Sequence, residues 1–444
     1  MSTRTEARDR FLSDWEAFEH QRGAQEPAFL GQLRRGARDQ FAELGLPSSR
    51  QEEWRYTNVR PLAETTFEQP SGTPEITRER VEEISFPVFA CSLFVFVNGR
   101  YAPELSTPQA LAGGLPVESL AQLAVESPDR LEQLLAEAAS LKGHPFAALN
   151  TAFLEDGALV TLPRDTDVGH AIHLVFVSSG CVPTISQPRV VVRAEQGSRG
   201  HVIQDHVSLA HPGEGAIHFS NTVTDVVVEA NAELDLVLVQ REGEGTHVVS
   251  NTNVRQERDS RFACHTMTLG GNLVRNDLEV LLAAEGADCT LNGLFLGQHS
   301  QLVDNHTLVD HAMPNCSSRE LYKGILADDA RGVFRGRVIV RPDAQKTNAS
   351  QSNPNILLGD GAEINTKPQL EIHADDVKCS HGSAIGRIDE EALFYLRTRG
   401  IGAGAARALL TRGFAHEVIA ALPHHALTDA LGAMLDERLR GAGT

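Results

Sequence analysis

Cys379 and His381 stand two residues apart in Lys378-Cys379-Ser380-His381-Gly382, and ligand-type side chains crowd around them as nowhere else in the chain. Successive side chains of an extended strand alternate faces, so a locally extended stretch sets the thiol beside the imidazole. That pairing suits iron, zinc or an iron–sulfur unit. The same alternation from Thr366 to Arg387 predicts Leu370, Ile372 and Ala374 toward a core. It predicts Glu371, His373, Asp375, Cys379 and His381 together on the opposite face, provided the register survives Asp375-Asp376, where a bend would break it. Cys379 and His381 are the first candidate ligands, with Glu371, His373 and Asp375 behind them. A Cys-x-His pair alone falls short of the four ligands of a closed zinc site, and a lone cysteine is most often a small buried hydrophobe.

A second group comprises His299, His306 and His311, with Asp304, Asp310 and Cys316 nearby. If Leu302 to Val309 is a strand, Asp304 and His306 share a face. The expectation is that they point to solvent, in preference to a metal site. Asn348, Asn353, Asn355 and Asn365 read as turn formers or ladder residues, and His424-His425 as exposed. The chain has no Gly-x-x-x-x-Gly-Lys-[Ser/Thr] phosphate loop, no dinucleotide fingerprint, no Gly-x-Ser-x-Gly elbow and no His-Glu-x-x-His. ATPase, dinucleotide and serine-hydrolase chemistry are therefore not expected of it.

The elements that must position these residues change in texture along the chain. Residues 1 to about 60 carry Phe11, Trp15 and Phe18 at helical spacing, then Phe29, Leu33 and Phe41, and stop at Gly45-Leu46-Pro47. Glu53-Trp54-Arg55-Tyr56-Thr57 reads as a staple that packs these helices onto the next part of the chain. Residues 61 to 84 look like a linker. Leu93 to Val97 is a strand entering an Asn98-Gly99 hairpin turn, and Val117 to Leu141 is helical with a break at Ser127-Pro128. Residues 1–150 thus form a mostly helical region with a short hairpin.

From about Gly157 short β-rich runs alternate with small polar turns. Gly197-Ser198, Asn231-Ala232, Asp259-Ser260, Gly286-Ala287, Asp329-Ala330 and Gly361-Ala362 fit one frame, at intervals of 34, 28, 27, 43 and 32 residues. A recurrence near thirty without intervening helical periodicity predicts stacked coils, each burying its neighbour's apolar face. The expectation is a β-solenoid core over 151–387, with a β-sandwich as the alternative. Residues 388–444 read as short amphipathic helices, opened by Asp389 as a cap and including Ala405 to Thr411 and Glu417 to Leu422. Such a tail docks on its own domain or on a partner.

The 444 residues carry 40 basic and 59 acidic side chains, a net charge of −19. That acidity argues against nucleic acid or an anionic membrane surface as a partner. The first ten residues lack an apolar run after their charges, so no signal peptide is expected, and no run is long enough to span a bilayer. Six scattered cysteines (Cys91, Cys181, Cys264, Cys289, Cys316 and Cys379) without a Cys-x-x-Cys pair read as reduced thiols. A cytoplasmic location is expected.

Several long phrases, in order, resemble the SufB/SufD family of the SUF iron–sulfur cluster assembly machinery. They are Thr366 to Ile372 with Ala374 to Gly382, Asn353-Pro354-Asn355-Ile356-Leu357-Leu358, Tyr395-Leu396-Arg397-Thr398-Arg399-Gly400-Ile401, and Ala406 to Leu410 with Gly413-Phe414 and Glu417-Val418. Glu53 to Thr57 resembles the SufD branch. The resemblance covers about residues 50 to 425. It implies a right-handed parallel β-helix flanked by N- and C-terminal α-helical regions, and a non-catalytic scaffold role. The partners it implies are SufB, met through the β-helix, and the SufC ATPase, docked by the helices after Asp389. It places His381, with Cys379 beside it, at the SufB interface, where an iron–sulfur cluster or iron is bound transiently and not stably by the isolated chain. A homodimer is expected to be possible in isolation. Two other readings stand beside this one: a SufB-type scaffold carrying the cluster itself, and a solenoid enzyme acting on polysaccharide. The absent signal segment and the 5% aromatic content weigh against the enzyme.

Overall fold

The computed structural model describes the chain except for residues 1–2, 23–25, 71–75, 87–90, 112–113, 138–142, 181, 210–216 and 442–444. Cys181 and the expected helix end at Leu141 lie outside the described residues. Among the described residues the strands form two ten-stranded sheets. From Gly157 onward nearly every coil gives one strand to each sheet. Thr246–Gln256, Leu273–Leu282, Leu302–His311, Arg331–Val340 and Glu363–Ile372 succeed one another in one sheet. Arg261–Thr268, Asp288–Gly297, Ser317–Leu326, Asn348–Leu357 and Lys378–Gly386 do so in the other. These strands pair in parallel, residue for residue, with no slip in register. This is the expected β-solenoid. Its interior is an apolar column that includes Leu236, Phe262, Cys264, Cys289, Leu291, Val309 and Phe334. Each coil alone would expose these side chains, and stacking buries them.

The corners explain the recurrent turn phrase. Gly197, Asn231, Asp259 and Gly286 have φ of 71°, 59°, 54° and 77°. Each precedes a small buried residue, Ser198, Ala232, Ser260 or Ala287. Left-handed backbone favours Gly, Asn and Asp, and a small following residue fits the crowded inside of the corner. Asn315-Cys316 and Lys346-Thr347 continue the column with φ of 61° and 59°. Asp329-Ala330 and Gly361-Ala362 belong to the opposite corner, where the chain returns to the other sheet. Mixing the two columns produced the 43-residue interval.

The N-terminal region contributes more than helices. Cys91–Val97 pairs in parallel with Ala171–Ser179, so one solenoid sheet takes its first strand from well before residue 150. The expected hairpin is present, with Phe96 opposite Tyr101. The stretch expected as a linker contains helices Arg60–Glu64 and Arg78–Ile84. Helices Thr3–Arg22 and Ala28–Leu44 cover one outer face through Phe11, Trp15, Phe18 and Phe41, against a cluster that includes Phe146, Phe219 and Val249.

Asp389 caps the helix Glu390–Thr398 by accepting from the backbone N–H groups of Glu391 and Ala392. The next helix runs unbroken from Ala403 to Ile419, through Gly413 where a break was expected. Val418 and Ile419 on one helix, and Leu427, Leu431, Leu435 and Leu439 on the last, pack against Val237, Met267, Leu294 and Ile325 of the solenoid. That burial overrides glycine's penalty of about 1 kcal/mol in a helix interior. His424 is half-buried, its ring 4.8 Å from that of His201, and burial lowers its pKa, whereas His425 is exposed. Among the described residues no helix is long and apolar enough to cross a membrane.

Candidate functional site: the open end of the solenoid

Among the described residues nothing is stacked on the final coil. Glu363–Ile372 and Lys378–Gly386 each end their sheet, and even their inward residues are half-buried or exposed, whereas inward Phe334, Val338 and Val340 and Ala349, Gln351 and Asn353 of the preceding strands are buried. Each final strand leaves one edge of backbone N–H and C=O groups unpaired within its sheet. Ile372 and Ile385 are 42% and 52% exposed there.

Register fixes where the candidate ligands point. Val338 and Val340 are interior, and Leu370 and Ile372 are their partners, so even positions face inward on Glu363–Ile372, as expected. On Lys378–Gly386 the odd positions face inward. Cys379 is the partner of buried Ala349 and packs against the interior cluster, and His381 is the partner of buried Gln351. The corner between Ile372 and Lys378 reverses the parity. The expected common face from Glu371 to His381 therefore does not exist.

Cys379 and His381 remain together on one side of one strand, at the mouth of the interior. Burial raises the Cys379 pKa, so the thiol form is favoured until something displaces the proton. His381 is exposed. Glu371 is on the outer face of the other sheet, where it accepts two hydrogen bonds from Arg337 at 2.8 and 2.7 Å. That contact lowers its pKa. His373 and Asp375 are exposed on the corner itself. Among the described residues no group of three or more His, Cys, Asp or Glu side chains is placed to hold a metal ion.

The second sequence cluster is dispersed. His299 is exposed at a corner with φ 53°. Cys316 fills another corner, and His311 is buried, its Nε2 2.9 Å from the Ser318 hydroxyl. Asp304 and His306 share a face, as expected, but they are not solvated. The Glu52–Trp54 turn and Thr57 close over them. His306 Nε2 is 3.0 Å from Asp304 Oδ1, Arg275 donates to Asp304 at 2.7 Å, and Thr57 Oγ1 donates to the same carboxylate. Burial alone would raise the Asp304 pKa, but Arg275 and His306 outweigh it and hold the carboxyl well below its usual range. For His306 burial works against the charge, yet Asp304 and Glu53 raise its pKa. The polar face is a clasp for the N-terminal segment.

The floor beneath His381 holds Asn353 and Asn355, read above as turn formers or ladder residues, together with Gln351, which no reading singled out. Gln351, Asn353 and Asn355 face inward, and below Gln351 lies Glu320. Glu320 accepts from Gln351 Nε2 and from Thr307 Oγ1, each at 2.6 Å. Burial pushes the Glu320 carboxyl up to about 7. The parity of Gln351, Asn353 and Asn355 in one strand was the available signal.

The fold is a parallel β-solenoid flanked by helices, with a Cys-x-His pair on its last coil. Residues 176–414 match the family model described as SUF system FeS cluster assembly, SufBD core domain, and residues 6–174 match the SufBD protein N-terminal region. The chain belongs to the SufBD family of iron–sulfur cluster assembly proteins. It is 31% identical to the iron–sulfur cluster assembly protein SufD of Escherichia coli, over 90% of this chain and 91% of that protein. It is also 31% identical to the SufBD family protein slr0076 of Synechocystis sp., over 90% and 88%. Identity to SufD of Bacillus subtilis is 24%, over 94% and 95%.

Proposed function

We propose that this chain is a SufD-type scaffold subunit that pairs with a SufB-type partner through the open end of its solenoid. Cys379 and His381 offer donors to an iron or iron–sulfur cargo at the junction. The observation that carries the reading is the uncovered last coil, with unpaired strand edges, exposed Ile372 and Ile385, and the Cys-x-His pair on one surface. An unpaired edge recruits another β-structure. Two donors fall short of a full ligand set, so the partner supplies the rest. The chain contributes ligands and geometry, and bond-making belongs to the other subunits.

The SufC-type ATPase docks on the helices after Asp389. Phe394, Tyr395 and Leu409 support this, being 67%, 58% and 50% exposed on the surface that does not pack on the solenoid. Large exposed apolar side chains grouped on one helical pair are a feature of interfaces.

The test is co-expression with SufB- and SufC-type proteins of the same source, followed by native mass measurement. One copy of this chain per SufB-type subunit is expected. Elution of this chain alone or as a dimer of itself, with folded partners present, would overturn the reading.

A further inference from the structure

The interior side chains form columns across the coils, because the pairing never slips. One column reads Leu236, Cys264, Leu291, Glu320, Gln351 and His381. It is apolar or weakly polar at the bottom and hydrogen-bonding in its last three members. Glu320 and Gln351 are 5% and 3% exposed. Buried polar groups are held in place only when they are paired. The Gln351 amide nitrogen is paired, donating to Glu320 Oε2 at 2.6 Å, and Thr307 fixes the other carboxyl oxygen. The Gln351 side-chain oxygen is buried and has no hydrogen-bond partner among the described residues. It is an acceptor left over on the residue in register with His381.

We propose that Gln351 is a positioning residue for His381: its side-chain carbonyl accepts the N–H of one imidazole nitrogen, with Glu320 and Thr307 anchoring the amide. The other ring nitrogen then carries no proton and faces out of the open end as the donor to iron. The inference rests on the reading of His381 as an interface ligand. A metal-binding imidazole needs its second nitrogen fixed as a donor, and a carbonyl does this by selecting one tautomer and one ring orientation. An exposed histidine with no such acceptor samples both tautomers and several rotamers. The orphaned carbonyl also gains its missing hydrogen bond in this arrangement.

The test uses the full chain labelled with 15N-histidine, above the pH range of imidazole titration. The His381 signals are identified by their loss in His381→Ala. A single dominant neutral tautomer is expected in the unaltered protein. Gln351→Met, and Gln351→Asn with its retracted carbonyl, are expected to give a mixture of tautomers. Both are expected to lower cluster assembly in the reconstituted complex by about 10-fold or more, the scale of lost outer-shell support. Glu320→Gln, which keeps an acceptor for the Gln351 amide, is expected to retain the single tautomer. Unchanged tautomer populations in a folded Gln351 variant would overturn the proposal. Unchanged assembly in His381→Ala would instead remove the interface reading and leave the tautomer result to decide the role of Gln351.

Discussion

The guanidinium of Arg275 lies 4.3 Å from the centre of the Trp54 ring, and its Nη1 donates at 2.8 Å to the Glu53 carbonyl. More than two hundred residues separate the two in sequence. The same guanidinium donates to Asp277 at 2.9 and 2.7 Å and to Asp304 at 2.7 Å. One buried cation thus joins the N-terminal segment to two coils. Its charge is paired on both sides, and the stacked indole excludes water from the pairs.

Asp304→Asn breaks that arrangement at its most buried point. Arg275 and the Thr57 hydroxyl lose a charged partner, and the expected loss is about 3 kcal/mol, the lower end for a broken buried pair because Asp277 remains. Urea unfolding measures it. Amide exchange over residues 51–57 is expected to accelerate more than exchange in the solenoid interior.

The clasp is also expected to depend on pH. His306 is raised above its ordinary 6.5. Its contribution is therefore complete below 6.5 and lost as pH rises through the raised value. Protection of the residue 51–57 amides, corrected for intrinsic exchange, is expected to fall across that window. In His306→Gln the fall is expected to vanish.

Glu320 gives a second handle on stability, and its pH dependence has the same sign. Its carboxyl rises from an ordinary 4.5 to about 7 because burial disfavours the charge. Below 4.5 both states are protonated and nothing is lost. Between 4.5 and about 7 the unfolded chain releases its proton first, so stability falls as pH rises. The loss is complete above about 7 and amounts to roughly 3 kcal/mol. Glu242, also raised to about 7 by burial, adds a similar slope. Thermal melts of Glu320→Gln against the unaltered protein are expected to show a gain that grows from pH 5 to pH 8.

His381→Ala is expected to reduce cluster assembly in the complete complex while leaving partner binding and melting temperature unchanged. The side chain is exposed. Assembly assays on purified complexes decide this, and full activity would remove His381 from the site.

Deleting everything after Asp389 is a poor test of ATPase docking. It would strip Val418, Leu427, Leu431 and Leu435 from the solenoid and expose Met267, Leu294 and Ile325. The double change Phe394→Ala and Tyr395→Ala touches only the exposed surface. It is expected to weaken ATPase association at least 10-fold, with melting unchanged, as read by titration calorimetry. Retained affinity would place the dock elsewhere.

The sequence by itself determined the solenoid, because corner chemistry is local. A left-handed Asn, Asp or Gly followed by a small residue announces most turns of that column whatever packs around them, as at Asn231-Ala232 and Gly286-Ala287, and Lys346-Thr347 is one that it does not announce. It also determined that Cys379 and His381 stay side by side, since two positions on one strand share a face. Their separation from Glu371, His373 and Asp375 was decided only by the tertiary structure. A single corner after Ile372 reverses the parity, and strand alternation carries no information across a corner. The fate of Asp304 and His306 was likewise decided in three dimensions. Alternation placed them outward, but whether outward means water depends on a turn from residues 52–54 that closes over them. The orphaned carbonyl of Gln351 became visible only once register stacked Glu320 beneath it and His381 above. Columns across coils are made by pairing between strands about thirty residues apart, and no local pattern encodes them.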